Sequence, residues 1–208
     1  MIVAMRRAAT LLALLLASPA AAAQQVVDES IGTWRLTCAT DRMTDRRACQ
    51  MLHARPVERS EPGRPALALE VVERDGRLVP AVTARNLTLE GAARGLLALS
   101  GTAQLRFPPN PLFNMPCDLE GRSLVCAPRD ENLARAEAEL PAANRVLVRM
   151  QGLAGTNAEP VELPLARTAE ALARLRREAP PGSLGAAAEP PAFDGRDVLQ
   201  RLFRLFGQ

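Results

Sequence analysis

The stretch Ile31-Gly-Thr-Trp34-Arg-Leu-Thr-Cys38, returning as Ala48-Cys49-Gln50-Met51-Leu-His53, decides the fold class of this chain. Trp34, Leu36 and Cys38 alternate with Arg35 and Thr37, while Cys49, Met51 and His53 alternate with Gln50 and Leu52. A period of two belongs to a half-buried β-strand. The charged segment 41–47 reads as the loop between two such strands, so Cys38 faces Cys49 across the pair. Trp34, the single tryptophan, shares the face of Cys38. Large aromatics are usually highly buried, so Trp34 is expected to pack against this disulfide as a core anchor.

The first 23 residues are read apart from the rest. Arg6 and Arg7 precede the uncharged apolar run 8–17, and Ala21-Ala22-Ala23 supplies small residues for cleavage before Gln24. This is the pattern of a secretory signal peptide, and the run falls short of the roughly 20 residues that span a bilayer. A periplasmic or secreted protein is expected. Cleavage would remove two arginines and no acids, lowering the formal net charge from +3 to +1. All 26 basic residues are arginine. A near-neutral, mixed-sign surface gives no counterion-release drive toward nucleic acid. With five phenylalanines, one tryptophan and no tyrosine, stacking platforms are also scarce. No nucleic-acid partner is expected.

Four cysteines, all beyond the leader, read as two disulfides in an exported chain. Three connectivities exist; the preferred one is local, Cys38–Cys49 and Cys117–Cys126, with ten and eight residues between partners. A zinc site is disfavoured because no C-x₂-C pair occurs and His53 is the only histidine.

Along the chain, 24–29 is polar and expected to fray. The segment 58–65, with two prolines and a glycine, reads as a loop. Leu67, Leu69 and Val71 alternate, and Asp75-Gly76 gives a hairpin signal into a returning strand over 78–82. Further strand-like runs cover 86–90, 95–100 and 103–107. Phe107-Pro-Pro-Asn-Pro-Leu-Phe-Asn-Met-Pro116 is expected to be a rigid loop rather than sheet, since prolines remove donors at four places. Its Phe113 and Met115 either tuck beneath it or face a partner. Segment 117–126 is a small disulfide-closed hairpin centred on Glu120-Gly121.

The pattern then turns helical. Asp130 is expected to cap a helix in which Leu133, Ala136 and Leu140 share a face, ended by Pro141. Strands follow around Val146–Met150 and Val161–Leu165, with Pro164 pushing the second to an edge or strand end. Thr168 is expected to cap a second helix over 169–177. The fold expected is a β-rich α+β one. Over 24–178 it has a single disulfide-stapled antiparallel domain, sandwich- or barrel-like, with two short helices. A Pro/Gly/Ala linker without core residues follows over 179–192, then an amphipathic C-terminal helix over 193–208 carrying Leu199, Leu202, Phe203 and Phe206 on its apolar face.

The Trp34-x₃-Cys38…Cys49-Gln50-Met51 opening, the Cys117…Cys126 pair and the closing Val161-Glu-Leu-Pro-Leu165 and Thr168-Ala-Glu-Ala-Leu172 resemble the invasion-associated locus B family. The resemblance covers about Ile31 to Arg177, with the second cysteine pair wider and the central strands looser than the family pattern. It implies an exported, β-rich envelope protein of Gram-negative bacteria, linked to host-cell invasion in a few pathogens, with no reaction and no catalytic residues.

The residues themselves give no catalytic, cofactor or metal site. His53 lies on a strand face with Cys49 and Met51, where a structural role is expected. G-x-S-x-G, H-E-x-x-H and G-x-x-x-x-G-K motifs are absent from the sequence. The expected function is therefore a non-enzymatic binding or structural module of the envelope. Its expected contacts are Phe113 and Met115 in the Pro-rich segment and Leu199, Leu202, Phe203 and Phe206 in the tail, toward an envelope or host protein or a membrane surface. The alternative is a periplasmic enzyme or small-ligand-binding protein.

Overall fold

A computed structural model describes residues 26–60, 66–87, 101–151, 159–179 and 184. The opening hairpin pairs β1 (Val27–Ile31) with β2 (Trp34–Thr40) through Gly32 and Thr33. The segment read as frayed is thus an ordered edge strand, polar because its outer faces are exposed. β2 pairs with β3 (Arg47–His53), placing Trp34 opposite His53 and Cys38 opposite Cys49. β4 (Ala68–Arg74) and β5 (Arg77–Ala84) follow as a hairpin. Asp75 and Gly76, at its turn, both have positive φ, 49° and 73°, the requirement of a type I′ turn. After β6 (Thr102–Arg106) come β7 (Phe113–Glu120) and β8 (Ser123–Cys126), α1 (Glu131–Glu139), and a 3-10 turn over Leu140–Ala142. β9 (Arg145–Gln151), β10 (Val161–Pro164) and α2 (Thr168–Glu178) complete the described elements.

The ten strands form one antiparallel sheet in the order β1-β2-β3-β4-β5-β8-β7-β6-β9-β10. β7 makes its corner: Phe113–Pro116 pairs with β6, whereas Cys117–Glu120 pairs with β8. This corrects the expectation of an irregular loop through residue 116. Only Pro108, Pro109 and Pro111 precede β7, and Pro116 falls where its partner changes. The two local disulfides are present, Cys38–Cys49 and Cys117–Cys126, each joining residues directly opposite on paired strands. Both clamp hairpins of the same sheet.

The inward faces carry Trp34, Leu36, Met51, Leu69, Met115, Leu105, Val148 and Leu163, all at 2% exposure or less. α1 packs on β5 and buries Leu133, Ala136 and Leu140, the face read from the sequence. α2 packs on β1, β2 and β3. Asp130 is the N-cap residue of α1, as expected, with φ 48° and no side-chain capping bond, whereas Arg167, not Thr168, is the N-cap of α2. The Thr168 hydroxyl is taken by another partner: it accepts the Trp34 Nε1–H at 3.0 Å. The linker assignment also needs correction, because Ala179 and Leu184 are both buried in the core. Of the expected run 86–90 only Asn86 and Leu87 are described, and neither is in a strand; the rest of it, the run 95–100 and the signal-peptide and C-terminal-helix assignments lie outside the described residues.

The sheet curls until its β10 end meets the β1–β2 turn. Thr33 N–H donates to the Ala166 carbonyl at 3.3 Å and the Ala166 N–H to Thr33 Oγ1 at 3.1 Å. Gly32, at φ +61°, lies so close that a Cβ there would sit 2.1 Å from the Ala166 oxygen. Both the dihedral and the contact require glycine. Gly32→Ala should therefore destabilise the oxidised protein by about 3 kcal/mol or more, read as a lowered urea midpoint. An unchanged midpoint would show that this closure contributes nothing.

Candidate functional site

The outer face of β6 and β9 sets apolar side chains beside arginines that form no ion pair among the described residues. In the β6–β9 register Gln104 faces Arg149, Leu105 faces Val148 and Arg106 faces Leu147. Alternation sends Leu105 and Val148 inward, where both are fully buried, and turns Gln104, Arg106, Leu147 and Arg149 outward. A polar row crosses this face: Arg149 Nε donates to Gln104 Oε1 at 2.7 Å and Gln104 Nε2 to Asn114 Oδ1 at 2.8 Å.

The Pro-rich turn forms the wall. Its Pro108–Pro109 peptide is cis. Arg106 holds the turn, donating from Nε to the Asn110 carbonyl at 2.8 Å and from Nη2 to the Pro109 carbonyl at 3.2 Å. Arg135 of α1 holds it from the other side, donating to the Pro111 and Leu112 carbonyls at 3.1 and 3.3 Å while its guanidinium lies 3.7 Å over the Phe113 ring. Leu112 stays 41% exposed. With Leu147, Pro160, Arg106 and Arg149 it lines a slot of about 170 Å³, and no carboxylate is among the described lining residues. A larger open groove lies nearby, lined by Arg55, Pro108, Pro109, Asn144, Arg145, Glu162 and Pro164. There Arg145 approaches Glu162 at 3.7 Å, so part of the charge is matched internally.

The residues expected to make contacts divide sharply. Phe113 and Met115 are 1% and 0% exposed, so they are core side chains and not a contact surface. They occupy the inward positions of β7, and Phe113 meets Phe107 edge-on at 6.1 Å. Leu199, Leu202, Phe203 and Phe206 lie outside the described residues. The contact candidates missed from sequence are Leu112, Leu147 and the flanking arginines. Leu147 carried a signal, being an apolar residue in phase with Arg145 and Arg149 rather than with Val146 and Val148.

His53 is buried and structural. Its Nε2 lies 2.8 Å from the Pro164 carbonyl, its Nδ1 accepts the Arg55 N–H at 3.1 Å, and its ring stands edge-on to Trp34 at 5.6 Å. Glu70 is the buried carboxylate of the sheet. It accepts from Thr83 Oγ1 at 2.6 Å, from Arg85 Nε and Nη2 at 2.9 and 2.8 Å, and from Gln50 Nε2 at 3.3 Å. Such a carboxylate is tolerated inside because its lone pairs are filled. Among the described residues, no group of three or more His, Cys, Asp or Glu is placed to hold a metal.

The fold and this face define a disulfide-stapled, curled antiparallel β domain with a preformed surface slot. Comparison with family models, curated proteins and solved structures finds no match for the chain.

Several exposed or half-buried carboxyls are held below their ordinary range by direct donors. The Arg35 hydrogen bond lowers Asp28, the Met43 and Thr44 N–H groups lower Asp41, Arg167 lowers Glu170, and Arg174 with Arg47 behind it lowers Glu178. A carboxyl depressed in the folded state stabilises fully above its unfolded pKa, and that contribution is lost as pH falls through the folded value. The urea midpoint should therefore drop on acidification below about pH 4, with Glu178→Gln flattening the fall; a flat wild-type profile would contradict this. Glu70→Ala should cost about 2 kcal/mol at neutral pH, measured by denaturant unfolding, because Thr83 and Arg85 lose their shared acceptor. A cost no larger than that of an exposed Glu→Ala change would contradict the network's role.

Proposed function

We propose that this chain is an exported, non-enzymatic binding or structural module of the bacterial cell envelope. The observation that carries the reading is that the side chains best suited to catalysis are occupied by architecture. All four cysteines are in the two hairpin disulfides, and the one histidine of the sequence is tied by both ring nitrogens to backbone groups of two segments. Disulfides of this kind persist in oxidising compartments, which supports export. The leader-like first 23 residues and the resemblance to invasion-associated locus B proteins point the same way. On this reading the rigid Pro-rich turn and the outer face of β6 and β9 form one contact surface. The segment Phe193–Gln208, amphipathic by its sequence, forms a second.

A small-ligand-binding protein is the second reading, favoured by the groove in which the guanidinium of Arg55, bonded to the Glu162 carbonyl at 3.4 Å, neighbours Arg145. One experiment separates the two. The mature protein, with and without 193–208, is used as bait against detergent-solubilised envelope from its own cells. A stoichiometric partner lost on truncation, with an unchanged melting temperature, is expected. Full-length bait that captures no stoichiometric partner, together with a thermal shift caused by a small anionic ligand, would replace the module reading with the second one.

A further inference from the structure

We infer that the slot on the outer face of β6 and β9 receives an acidic, apolar segment of a partner polypeptide. One large apolar side chain would enter between Leu112, Leu147 and Pro160, with carboxylates beside it pairing with Arg106 and Arg149. The inference rests on the binding-module reading and deepens it.

Size sets the first condition. At about 170 Å³ the slot is smaller than the roughly 300–1,000 Å³ of sites that enclose whole small molecules. It suits one anchoring side chain of a longer ligand, the way buried anchors act at interface centres. Charge sets the second. Arg106 spends Nε and Nη2 on the Pro-rich turn and Arg149 spends Nε on Gln104. Their remaining N–H groups have no acceptor among the described residues. A guanidinium fork anchored on one side and open on the other is disposed to take a carboxylate. The lining supplies two such forks and no acid of its own.

The same charges reject the nearer occupants. A second copy docked through a two-fold axis would bring these arginines against themselves. The chain's own 193–208 segment carries Arg196, Arg201 and Arg204 against Asp194 and Asp197, so it brings excess positive charge to a positive rim. An acyl chain needs a long apolar channel, whereas this slot holds only about 170 Å³. Arg135 and Arg106 brace the wall before any partner arrives, which lowers the ordering cost of binding.

The test uses the mature, oxidised chain and fluorescein-labelled peptides read by anisotropy. The probes are Asp-Glu-Leu-Asp-Glu, the same peptide with Ala for Leu, and Lys-Lys-Leu-Lys-Lys. The acidic leucine peptide should bind at least about tenfold more tightly than either control and weaken with salt. Arg149→Glu and Leu112→Asp should each weaken it about tenfold or more, with melting temperatures unchanged, while Arg42→Glu on the β2–β3 loop should not. Equal binding of the leucine and alanine peptides, or undiminished binding to Arg149→Glu, would overturn the slot. Binding to phosphatidylglycerol vesicles but to no peptide would overturn it in favour of a lipid surface. If envelope bait carrying both substitutions still retains the wild-type partner, the slot falls and the module reading stands. If wild-type bait captures no partner and binds no peptide, both fall.

Discussion

The fold depends on the meeting of two ends of one curled sheet. The β1–β2 turn and the end of β3 belong to the first 30 described residues, and β10 and α2 to the last. Between them run Thr33 to Ala166, Trp34 to Thr168 and His53 to Pro164, a sequence separation of 134 for the Trp34 bond. No backbone ladder joins β3 to β10 in the strand order. Beside the Thr33–Ala166 backbone bond, side chains make the join, and His53 and Arg55 bond the carbonyls of Pro164 and Glu162. Each such bond is worth on the order of 1 kcal/mol net, but an unfilled buried partner costs more. Closing the large loop between these ends adds little over closing a smaller one, because loop entropy grows only logarithmically. A few well-placed bonds around Gly32 can therefore hold the ends together.

Much of this was legible in the sequence for a simple reason: alternation records burial. Trp34, Leu36, Cys38 and Cys49, Met51, His53 were readable as paired strands because each strand is half-buried, and the disulfides followed from export, an even cysteine count and local separations. Asp75-Gly76 declared its own turn through the backbone it needs. β1 was not legible, since an exposed edge strand with Asp28, Glu29 and Ser30 carries no apolar stripe. β7 was masked by prolines whose effect depends on where partners change, which is a tertiary fact. The start of α2 was misread because the Thr168 hydroxyl accepts from Trp34 rather than from its own helix. At the slot, Leu147 stood out of phase in the sequence, but Leu112 and Pro160 lie on neither β6 nor β9 and join it only in the folded chain.

Arginine does in this chain what extra strands do elsewhere. Prolines leave carbonyls without a reciprocal ladder, and guanidinium groups supply the donors. Arg106 serves Pro109 and Asn110, Arg135 serves Pro111 and Leu112, Arg122 serves Leu87 with two nitrogens at 3.1 Å, and Arg55 serves Glu162. A lysine offers a point charge rather than a planar fork and could not bridge two carbonyls at fixed angles. The exclusive use of arginine among the basic residues is thus tied to architecture. Many of the cations are committed to main-chain oxygens or to exposed ion pairs of small individual worth.

That commitment gives the outer face of β6 and β9 its character. Where arginines are fully matched, as Arg85 is around Glu70, they specify structure and offer nothing to a partner. Arg106 and Arg149 are matched on one side only, and their free sides flank an apolar floor on a sheet stiffened by pairing to β7 and β9. Rigidity and incomplete charge matching rarely coincide by packing needs alone, because a purely structural arginine gains from saturating its fork. A binding surface gains from leaving it open. The physical difference between scaffold and site in this molecule is therefore carried by how many donors of each guanidinium the fold has already used.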